Sequence, residues 1–503
     1  MNRSMKAATK ARSPMMNKAT SLCFIFTAML SSCAVGPDYE RPEIVAPETW
    51  RVDFLAASDY SNTIWWQQFN DPVLNQLIDT ALRENKDVRI AAARMQEFAA
   101  RIDIANSGFL PQIGYGGDAS RNKTSRESFG SNSTIDRTYN NYSASANLTW
   151  ELDLWGRIRR SDEAATAEFL AQEENRRSVI LSLVATVATT YVTLRQSDRQ
   201  LQIAKDTLYS RTESLRLFRL KFEGGVISEL ELAQVRTEYE QAAAAVPPIQ
   251  RRIALTENEL SILLGSNPGK IPRGKSINAL VLPEVPAGIP SVVLEQRPDV
   301  RSAEQALISA NARIGVAKAE YFPTISLTGM FGFVSTELDN LLTGSANTWN
   351  IGAAILGPIY QGGRITGEVA ASEAVQRQAL GGYLKAVQNA FREVDDALVN
   401  VQKSREQLAA EKNRVEALNN YARLAKLRYD EGYSSYIDVL DAQRQLFNAE
   451  LQYIAVQGDV YSSLVGTYKA MGGGWINVAK DSADETDFPP PPEESSDEQN
   501  NAG

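Results

Sequence analysis

Histidine is absent from this chain of 503 residues, and cysteine occurs only at Cys23 and Cys33. The absence of histidine excludes histidine-based catalytic triads and histidine metal ligands. Because both cysteines lie near the amino terminus, no disulfide framework can form in the body of the chain. The formal net charge of −9 disfavours nucleic acid as a partner, since nucleic-acid binding needs a basic face.

Residues 1–32 are predicted to be a lipoprotein signal peptide. They carry basic but no acidic residues, and their apolar run from Leu22 to Leu30 is too short to span a bilayer. The following Leu30-Ser31-Ser32-Cys33 resembles a bacterial lipobox, which predicts lipidation at Cys33. Ala34, rather than aspartate, then implies sorting to the outer membrane. An ordinary secretory signal with a chance cysteine is the alternative. After residue 33 we expect no long apolar stretch that could be a transmembrane helix.

Two long helices are predicted in two copies of one repeat, 207 positions apart. The first runs from Arg157 to Glu223 without glycine or proline, and would be on the order of 100 Å long. An apolar residue recurs at every seventh position in both helices, which is typical of a coiled-coil seam. The seam residues are Ile180, Val187, Leu194, Leu201, Leu208 and Leu215, then Val387, Val394, Val401, Leu408 and Val415.

Three local features modify this helical pattern. A helix that begins at Asp71-Pro72 is predicted to continue to about Ser107. Pro247-Pro248 is predicted to interrupt the helix that follows the first long one. Gly381-Gly382 lies inside the second long helix and should weaken it locally.

Four strands are predicted where apolar and polar residues alternate, at about residues 112–122, 142–154, 324–334 and 347–357. Each is near the 10 residues that cross an outer membrane. Four strands cannot close a barrel, and an open edge in lipid leaves backbone groups unpaired. The pattern therefore predicts a barrel shared between chains, and hence a homo-oligomer. A soluble antiparallel sheet with one wet face is the alternative.

Each long helix leads into a tight turn and a return helix. In the second turn, residues 430–435, Gly432 can adopt the left-handed conformation, and Ser434 or Ser435 can cap the next helix. Asp438 and Asp441 then lie three apart on one face of that helix. The first turn is residues 223–228, and the counterparts of Gly432, Ser435 and Asp438 are Gly225, Ser228 and Glu231.

The predicted organisation follows from these elements. A signal peptide, residues 1–32, precedes an extended segment, and a Pro- and Gly-rich linker joins the two repeats. The boundaries are 33–70 for the extended segment, 71–265 and 298–475 for the repeats, 266–297 for the equatorial linker and 476–503 for an acidic disordered tail.

A series of short motifs is spread in order along residues 33–475. They are Cys33, Trp65-Trp66 with Phe69-Asp71-Pro72, Leu263-Leu264-Gly265, Gln296-Arg297-Pro298-Asp299, Phe322-Pro323, Pro358-Ile359-Tyr360 with Gly362-Gly363-Arg364, and Asp438-Val439-Leu440-Asp441-Ala442-Gln443. In this order they resemble the TolC family of outer membrane factors, in the lipidated (NodT/OprM-like) branch that serves resistance–nodulation–division efflux pumps. The double glycine at 381–382 and the long acidic tail depart from the family pattern.

The resemblance implies a mixed, mainly α fold: a trimeric twelve-stranded membrane β-barrel on a long periplasmic α-helical barrel. It implies a passive export duct for drugs or other toxic small molecules, not an enzyme, with no cofactor and no metal. The implied partners are two further copies of the chain, a periplasmic membrane fusion (adaptor) protein, an inner-membrane resistance–nodulation–division transporter and outer membrane lipid.

The resemblance also implies two functional regions. The turns, with Gly225, Ser228, Gly432 and Ser435, would dock the adaptor. A periplasmic gate would contain Tyr429, Asp438, Asp441 and Arg444, with Ile437 as an apolar plug. The hairpin of the second repeat is the more polar one, as a one-sided constriction requires. Its Tyr429, Asp441 and Arg444 correspond in the first repeat to Phe222, Gln234 and Thr237.

Other interpretations remain open at this point. Asp438 and Asp441 could be a catalytic pair, but no nucleophile or metal motif accompanies them, and a solvated helix face explains them as well. A structural coiled-coil envelope lipoprotein without transport activity is the second hypothesis, and a periplasmic hydrolase is a distant third. The sequence does not name the cargo, although eight methionines and no histidine argue against a dedicated copper or silver exporter.

Overall fold

The computed structural model describes residues 34–44, 46–47, 50–52, 64–125, 138–282, 285 and 296–472. The predictions for the signal peptide, Cys33 and the acidic tail fall outside these residues. The chain divides into two compact units. The first contains Met1–Arg41, Glu97–Phe169 and Gln305–Leu380, and the second contains Pro42–Gln96, Leu170–Glu304 and Gly381–Gly503.

The described residues are mainly helical, with one four-stranded sheet. The α-helices are α1 (Pro72–Glu84), α2 (Lys86–Asn106), α3 (Arg157–Glu223), α4 (Glu229–Leu263), α5 (Pro298–Ala319), α6 (Arg364–Asp430) and α7 (Tyr436–Ala470). The strands are β1 (Gln112–Lys123), β2 (Thr138–Leu152), β3 (Thr324–Ser335) and β4 (Asn347–Leu356).

The sheet of the first unit is antiparallel in the order β1-β2-β3-β4, so β1 and β4 are its edges. The strands lie where the alternation of the sequence predicts them, except that β2 begins at Thr138 and ends at Leu152. Strand pairing places one row of side chains in register across the sheet: Tyr115, Ala146, Phe331 and Trp349. Tyr115 is 97% exposed and Trp349 is 68% exposed, so no described residue covers this apolar face.

The start of the described chain is fixed on the first unit. Val35 donates a backbone hydrogen bond to the carbonyl of Trp155 at 2.9 Å, just after β2. Asp38 accepts from the buried Arg160 at 2.6 Å. Gly36, with φ of +114°, lies so close to Gly315 that a Cβ would meet the Cα of Gly315 at 2.5 Å. Glycine is therefore required at Gly36 by both its conformation and this close approach.

The seam of the long helices forms the core of the second unit only in part. Ile180, Val187 and Leu194 are buried in α3, whereas Leu201 and Leu208 are half-buried. In α6, Val394 and Val401 are fully buried with Leu464 of α7. The seven-residue pattern thus identifies the packed face of both helices.

One stretch of α3 is apolar enough to cross a membrane by length and composition, with a mean hydropathy of 1.5 over 18 residues. The prediction that no such stretch follows residue 33 is therefore wrong. Within this chain 61% of that window is buried. Val184, Val187 and Ala188, each 0% exposed, belong to the core of the second unit, which accounts for the hydropathy.

Asn85 separates α1 from α2, so the prediction of one helix from Asp71 to about Ser107 is wrong. Its backbone is extended, with φ of −63° and ψ of 133°. The side-chain oxygen accepts from the backbone N–H of Asp87 at 2.8 Å and of Val88 at 3.2 Å. The side-chain amide donates to the carbonyl of Leu263 at 2.9 Å. Asn85 therefore caps α2, a role that is open to asparagine but invisible in the apolar periodicity.

Pro247-Pro248 does not interrupt the return helix, contrary to the prediction, because α4 is continuous from Glu229 to Leu263. Two prolines remove two backbone donors and normally kink or break a helix. The neighbouring Ile249 is buried in the core of the second unit, and Val246 packs against that core. We attribute the continuity of α4 to this packing on either side of the prolines.

A buried polar cluster fixes the linker onto the helices of the second unit. Asp71, fully buried, accepts from the backbone N–H of Val73 at 2.9 Å, the hydroxyl of Tyr191 at 2.8 Å and the backbone N–H of Lys275 at 3.0 Å. The Tyr191 oxygen in turn accepts from Gly274 at 2.9 Å. Burial, together with the hydrogen bond to Asp71, raises the pKa of Tyr191, which keeps this hydroxyl a donor.

Candidate functional site

The two turns between the long helices and their return helices have the same backbone. Gly432 has φ of +78°, its N–H bonds the carbonyl of Tyr429 at 3.0 Å, and Tyr433 N–H bonds that of Arg428 at 2.8 Å. In the first turn Gly225, with φ of +72°, occupies the same place. A Cβ at either glycine would meet nothing within 4 Å. The glycines are therefore needed for their left-handed conformation, as the sequence predicts, and not for space.

The helix caps after the two turns differ. Ser228 forms a capping box with Glu231, in which the Glu231 carboxylate accepts from the backbone N–H of Ser228 at 2.9 Å. Ser435 caps α7 by accepting from Ile437 N–H at 3.5 Å, without a capping box. The side chain of Asp438, the counterpart of Glu231, is exposed and makes no hydrogen bond or ion pair to any described residue. Its carboxylate is therefore free for a contact outside this chain.

Four of the five predicted gate residues line one cavity of about 450 Å³ between α4 and α7. Arg444 donates to Asp441 at 2.6 Å, and Gln445 donates to the second oxygen of Asp441 at 2.7 Å. The remaining lining residues include the first-repeat counterparts of Asp441 and Arg444, so both repeats contribute to the same cavity. The lining is Gln234, Thr237, Glu238, Ile437, Asp438, Leu440, Asp441 and Arg444.

Tyr429, the fifth predicted gate residue, does not line this cavity. Its ring packs on Tyr436 with 4.8 Å between ring centres, and Lys221 lies 5.7 Å from the ring. Tyr436 also packs on Phe218 at 4.2 Å, so the two hairpins share one aromatic cluster. Within the part of the chain that the structure describes, the hydroxyl of Tyr429 makes no hydrogen bond.

Glu238 is a residue of this site that the sequence reasoning missed. Its side chain is 10% exposed and lies between two arginines, 3.7 Å from Arg444 and 3.9 Å from Arg211. Arg211 is also buried, and it donates to Gln443. Burial lowers the pKa of Arg211 and the charge of Glu238 opposes that shift, so the guanidinium keeps its charge. The result is a chain of alternating charges from α3 through α4 to α7.

This arrangement suits a latch between helices. Asp441, Arg444, Glu238 and Arg211 alternate in sign, and each is held by at least one neighbour within the chain. Arg211 and Glu238 are nearly buried, so removing either would leave the other charge poorly compensated, whereas Arg444 and Asp441 are partly exposed. Exposed Ile437 and unpaired Asp438 lie beside the latch and face away from the chain's own core, with Ile437 46% exposed.

The sequence and fold were compared with known proteins. The family described as "Outer membrane efflux protein" matches residues 77–266 and 289–473. The solvent efflux pump outer membrane protein SrpC of Pseudomonas putida is 36% identical over 466 residues, which cover 91% of this chain and 99% of SrpC. The cation efflux system protein CusC of Escherichia coli is 34% identical over 466 residues, covering 92% of this chain and 100% of CusC.

A solved structure has the same fold. The outer membrane channel CmeC of Campylobacter jejuni superposes with a TM-score of 0.84 at 30% identity, covering 91% of this chain and 99% of CmeC. These matches span almost the whole of each relative, and the relatives are transport channels rather than enzymes. The chain therefore belongs to the outer membrane efflux protein family and is an outer membrane efflux channel, as the ordered motifs of its sequence predicted.

Proposed function

We propose that three copies of this chain form the passive export duct of a tripartite pump, together with a periplasmic membrane fusion (adaptor) protein and an inner-membrane resistance–nodulation–division transporter. The observation that carries the proposal is the sheet, which has two unpaired edges, β1 and β4, and an uncovered apolar row from Tyr115 to Trp349. Lipid tolerates neither open edges nor unpaired backbone groups. Three such sheets joined edge to edge close a twelve-stranded barrel with its apolar face toward lipid.

The trimer is testable without knowing the partners. Detergent-extracted membranes that contain the full chain are run on a denaturing gel with and without boiling. A barrel shared by three chains predicts a band at three times the monomer mass before heating and a monomer band after it. A structural lipoprotein with a soluble sheet predicts a monomer band in both lanes, and that result would contradict the shared barrel.

The cargo that we propose is a drug or another toxic small molecule. SrpC is named for solvents and CusC for cations. A dedicated cation duct would benefit from soft or imidazole ligands along its path, and this sequence offers no histidine and eight methionines. Deleting the gene and testing growth against a panel of drugs, dyes, detergents and metal salts identifies the class.

We place the gate of the duct at the cavity between α4 and α7. In a trimer, Asp438 and Asp441 would supply six carboxylates to one ring, and Ile437 would form an apolar plug inside it. Like charges repel, so Arg444 and bound cations would hold the ring closed. The support is that the Asp438 carboxylate has no partner among the described residues, whereas Asp441 is already paired with Arg444 at 2.6 Å.

Docking of the adaptor is proposed at the two turns, residues 223–228 and 430–435. Gly432→Glu or Gly225→Glu should abolish drug efflux and leave the trimer intact, because a side chain there meets open space within the chain but obstructs a partner. The matched control is Gly362→Glu, since Gly362 also has a positive φ, 59°, and open space around it. The three variants carry similar backbone strain, of order 1–2 kcal/mol. Efflux and trimer content are measured for each.

Crosslinking gives the docking proposal a second measurement. A photoreactive amino acid at Ser228 or Ser435 should capture the adaptor in cells that carry the whole pump. The same probe at Gly362 should capture none. If neither Ser228 nor Ser435 yields an adaptor adduct, or if Gly362→Glu blocks efflux as strongly as Gly432→Glu, docking occurs elsewhere.

The lipid anchor is proposed at Cys33. The segment directly after it is fixed beside the end of β2 by Val35 and Asp38, which supports attachment close to the sheet. Cys33→Ala should abolish incorporation of labelled palmitate, while efflux survives in part because the barrel inserts by itself. Cys23→Ala is the control and should keep the label, because Cys23 lies in the predicted signal peptide. Label retained in Cys33→Ala would refute lipidation at this residue.

A further inference from the structure

We propose that Gly381-Gly382 is a hinge in α6, through which the second hairpin bends when the channel opens. The second hairpin is α6, the turn at residues 430–435 and α7. The inference rests on the proposed gate in that hairpin. The two glycines lie inside a continuous helix of 67 residues, Arg364–Asp430.

No described contact explains why glycine stands at these two positions. Both glycines are exposed, and a Cβ built on either would meet nothing within 4 Å. Two other helical glycines have a packing reason: at Gly458 a Cβ would meet a side-chain oxygen of Gln196 at 2.0 Å, and at Gly315 the carbonyl of Val35 at 2.6 Å. Gly367 and Gly466 also have open space, but they are single glycines and not an adjacent pair. In an exposed helix interior glycine is less favourable than alanine, because it gains no contact and keeps more backbone freedom. Packing therefore does not explain the extra backbone freedom at Gly381 and Gly382.

The glycines also lie in a sparsely packed part of α6. Val369 and Ile365 pack against Ala317, and Tyr383 is completely buried, but no residue from 370 to 382 is buried. The described side chains of residues 374–390 make no hydrogen bond and no ion pair. Bending at Gly381-Gly382 would therefore break few side-chain contacts, while the segments on either side stay packed.

The equivalent point in α3 is held firmly. Glu174 and Asn175 are the counterparts of Gly381 and Gly382, 207 positions earlier. Glu174 accepts from Arg177 at 3.0 Å and pairs with Arg301 at 3.0 Å. Asn175 accepts from Ser302 at 2.8 Å. The two repeats therefore differ in stiffness at this position, and the freedom to bend belongs to the hairpin that carries Asp438, Asp441 and Arg444.

A small bend here has a large effect at the gate. Asp430 lies roughly 70 Å beyond Gly382 along the helix, so a bend of about 5° moves that end by roughly 6 Å if the helix stays rigid. Hinges of this kind concentrate the backbone change in a few residues far from the moving end. The hinge thus links a local change in α6 to the width of the proposed constriction.

The test uses the full-length trimer in a planar bilayer in KCl, with the gate released by Tyr429→Phe and Arg444→Ser. Adding Gly381→Ala and Gly382→Ala stiffens α6, and we expect the opening probability to fall roughly tenfold. The control is Gly367→Ala, because Gly367 also lies in α6 with open space around it but between the packed Ile365 and Val369. It should leave opening unchanged.

A second pair of substitutions separates stiffness from bulk. Asparagine is larger than alanine but a poorer helix former, so Gly381→Asn with Gly382→Asn should keep most of the opening that the alanine pair removes. If the asparagine pair reduces opening as much as or more than the alanine pair, the glycines make room for a close neighbour, and the hinge is wrong. If the alanine pair opens normally, the hinge is also wrong. If the Tyr429→Phe, Arg444→Ser protein, without changes at the glycines, conducts no more than the wild type, the gate proposal fails, and the hinge proposal fails with it.

Discussion

Tyr429→Phe combined with Arg444→Ser is expected to raise the resting conductance of the trimer by roughly tenfold or more, since each polar link at the gate contributes about 1–3 kcal/mol. Arg444 donates to Asp441 at 2.6 Å and lies 3.7 Å from Glu238, so its loss leaves a nearly buried carboxylate with one arginine fewer. The hydroxyl of Tyr429 has no partner among the described residues, so phenylalanine there would remove only a contact that the proposed trimer supplies. Cells with this variant should also admit large antibiotics such as vancomycin.

The matched control for this variant is Arg414→Ser. Arg414 pairs with Glu411 at 3.3 Å in α6, with the same three-residue spacing as Arg444 and Asp441. It lies in the same hairpin but does not line the cavity. Resting conductance is measured in planar bilayers for both variants. Equal conductance of the double variant and the wild type would show that these residues do not hold the channel closed.

Asp438→Ala combined with Asp441→Ala is expected to abolish cation preference and the block by multivalent cations. Six carboxylates in one ring would concentrate cations at the narrowest point, and a multivalent cation would bridge them. The wild-type trimer should therefore be blocked by hexamminecobalt added on the periplasmic side, and the variant should not. The effect on selectivity should exceed that of any single substitution outside the ring.

The control removes the same number of charges from the other hairpin. Glu223 and Glu229 flank the first turn and are exposed, so Glu223→Ala with Glu229→Ala lowers the acidic charge equally without touching the cavity. This control should keep both cation preference and block. Unchanged selectivity and block in the Asp438 and Asp441 variant would mean that these aspartates are only a solvated helix face.

The sequence predicted the strands and the long helices because their patterns are strongly periodic. Alternation from Tyr142 to Leu152 and a seventh-residue seam through Val187 and Val394 each place a whole face of an element. The points where a helix ends or continues were harder to predict, because they depend on tertiary contacts of single residues. Asn85 ends α1 through a bond to Leu263, and Pro247-Pro248 stays helical where Ile249 is packed.

In the candidate site, only the residues that the internal repeat or the family resemblance identifies could be predicted from the sequence. Gly432 and Ser435 were found by comparing the two copies of the hairpin, and Asp441 was placed in the gate by the family resemblance. Glu238 was not, because it reads as one more acid on a polar helix face. Its significance comes from the register between α4 and its neighbours, which brings it between Arg211 and Arg444. A pattern within one helix carries no information about that register.

In the proposed mechanism this chain forms a conducting duct whose narrowest point is the ring of Asp438 and Asp441. The most direct measurement is the reversal potential of the purified wild-type trimer in a planar bilayer under a KCl gradient. We expect discrete channels with a reversal potential near that of potassium, which shifts toward zero in the Asp438→Ala, Asp441→Ala variant. A wild-type protein that forms no channels, or channels whose reversal potential the two substitutions leave unchanged, would contradict this mechanism.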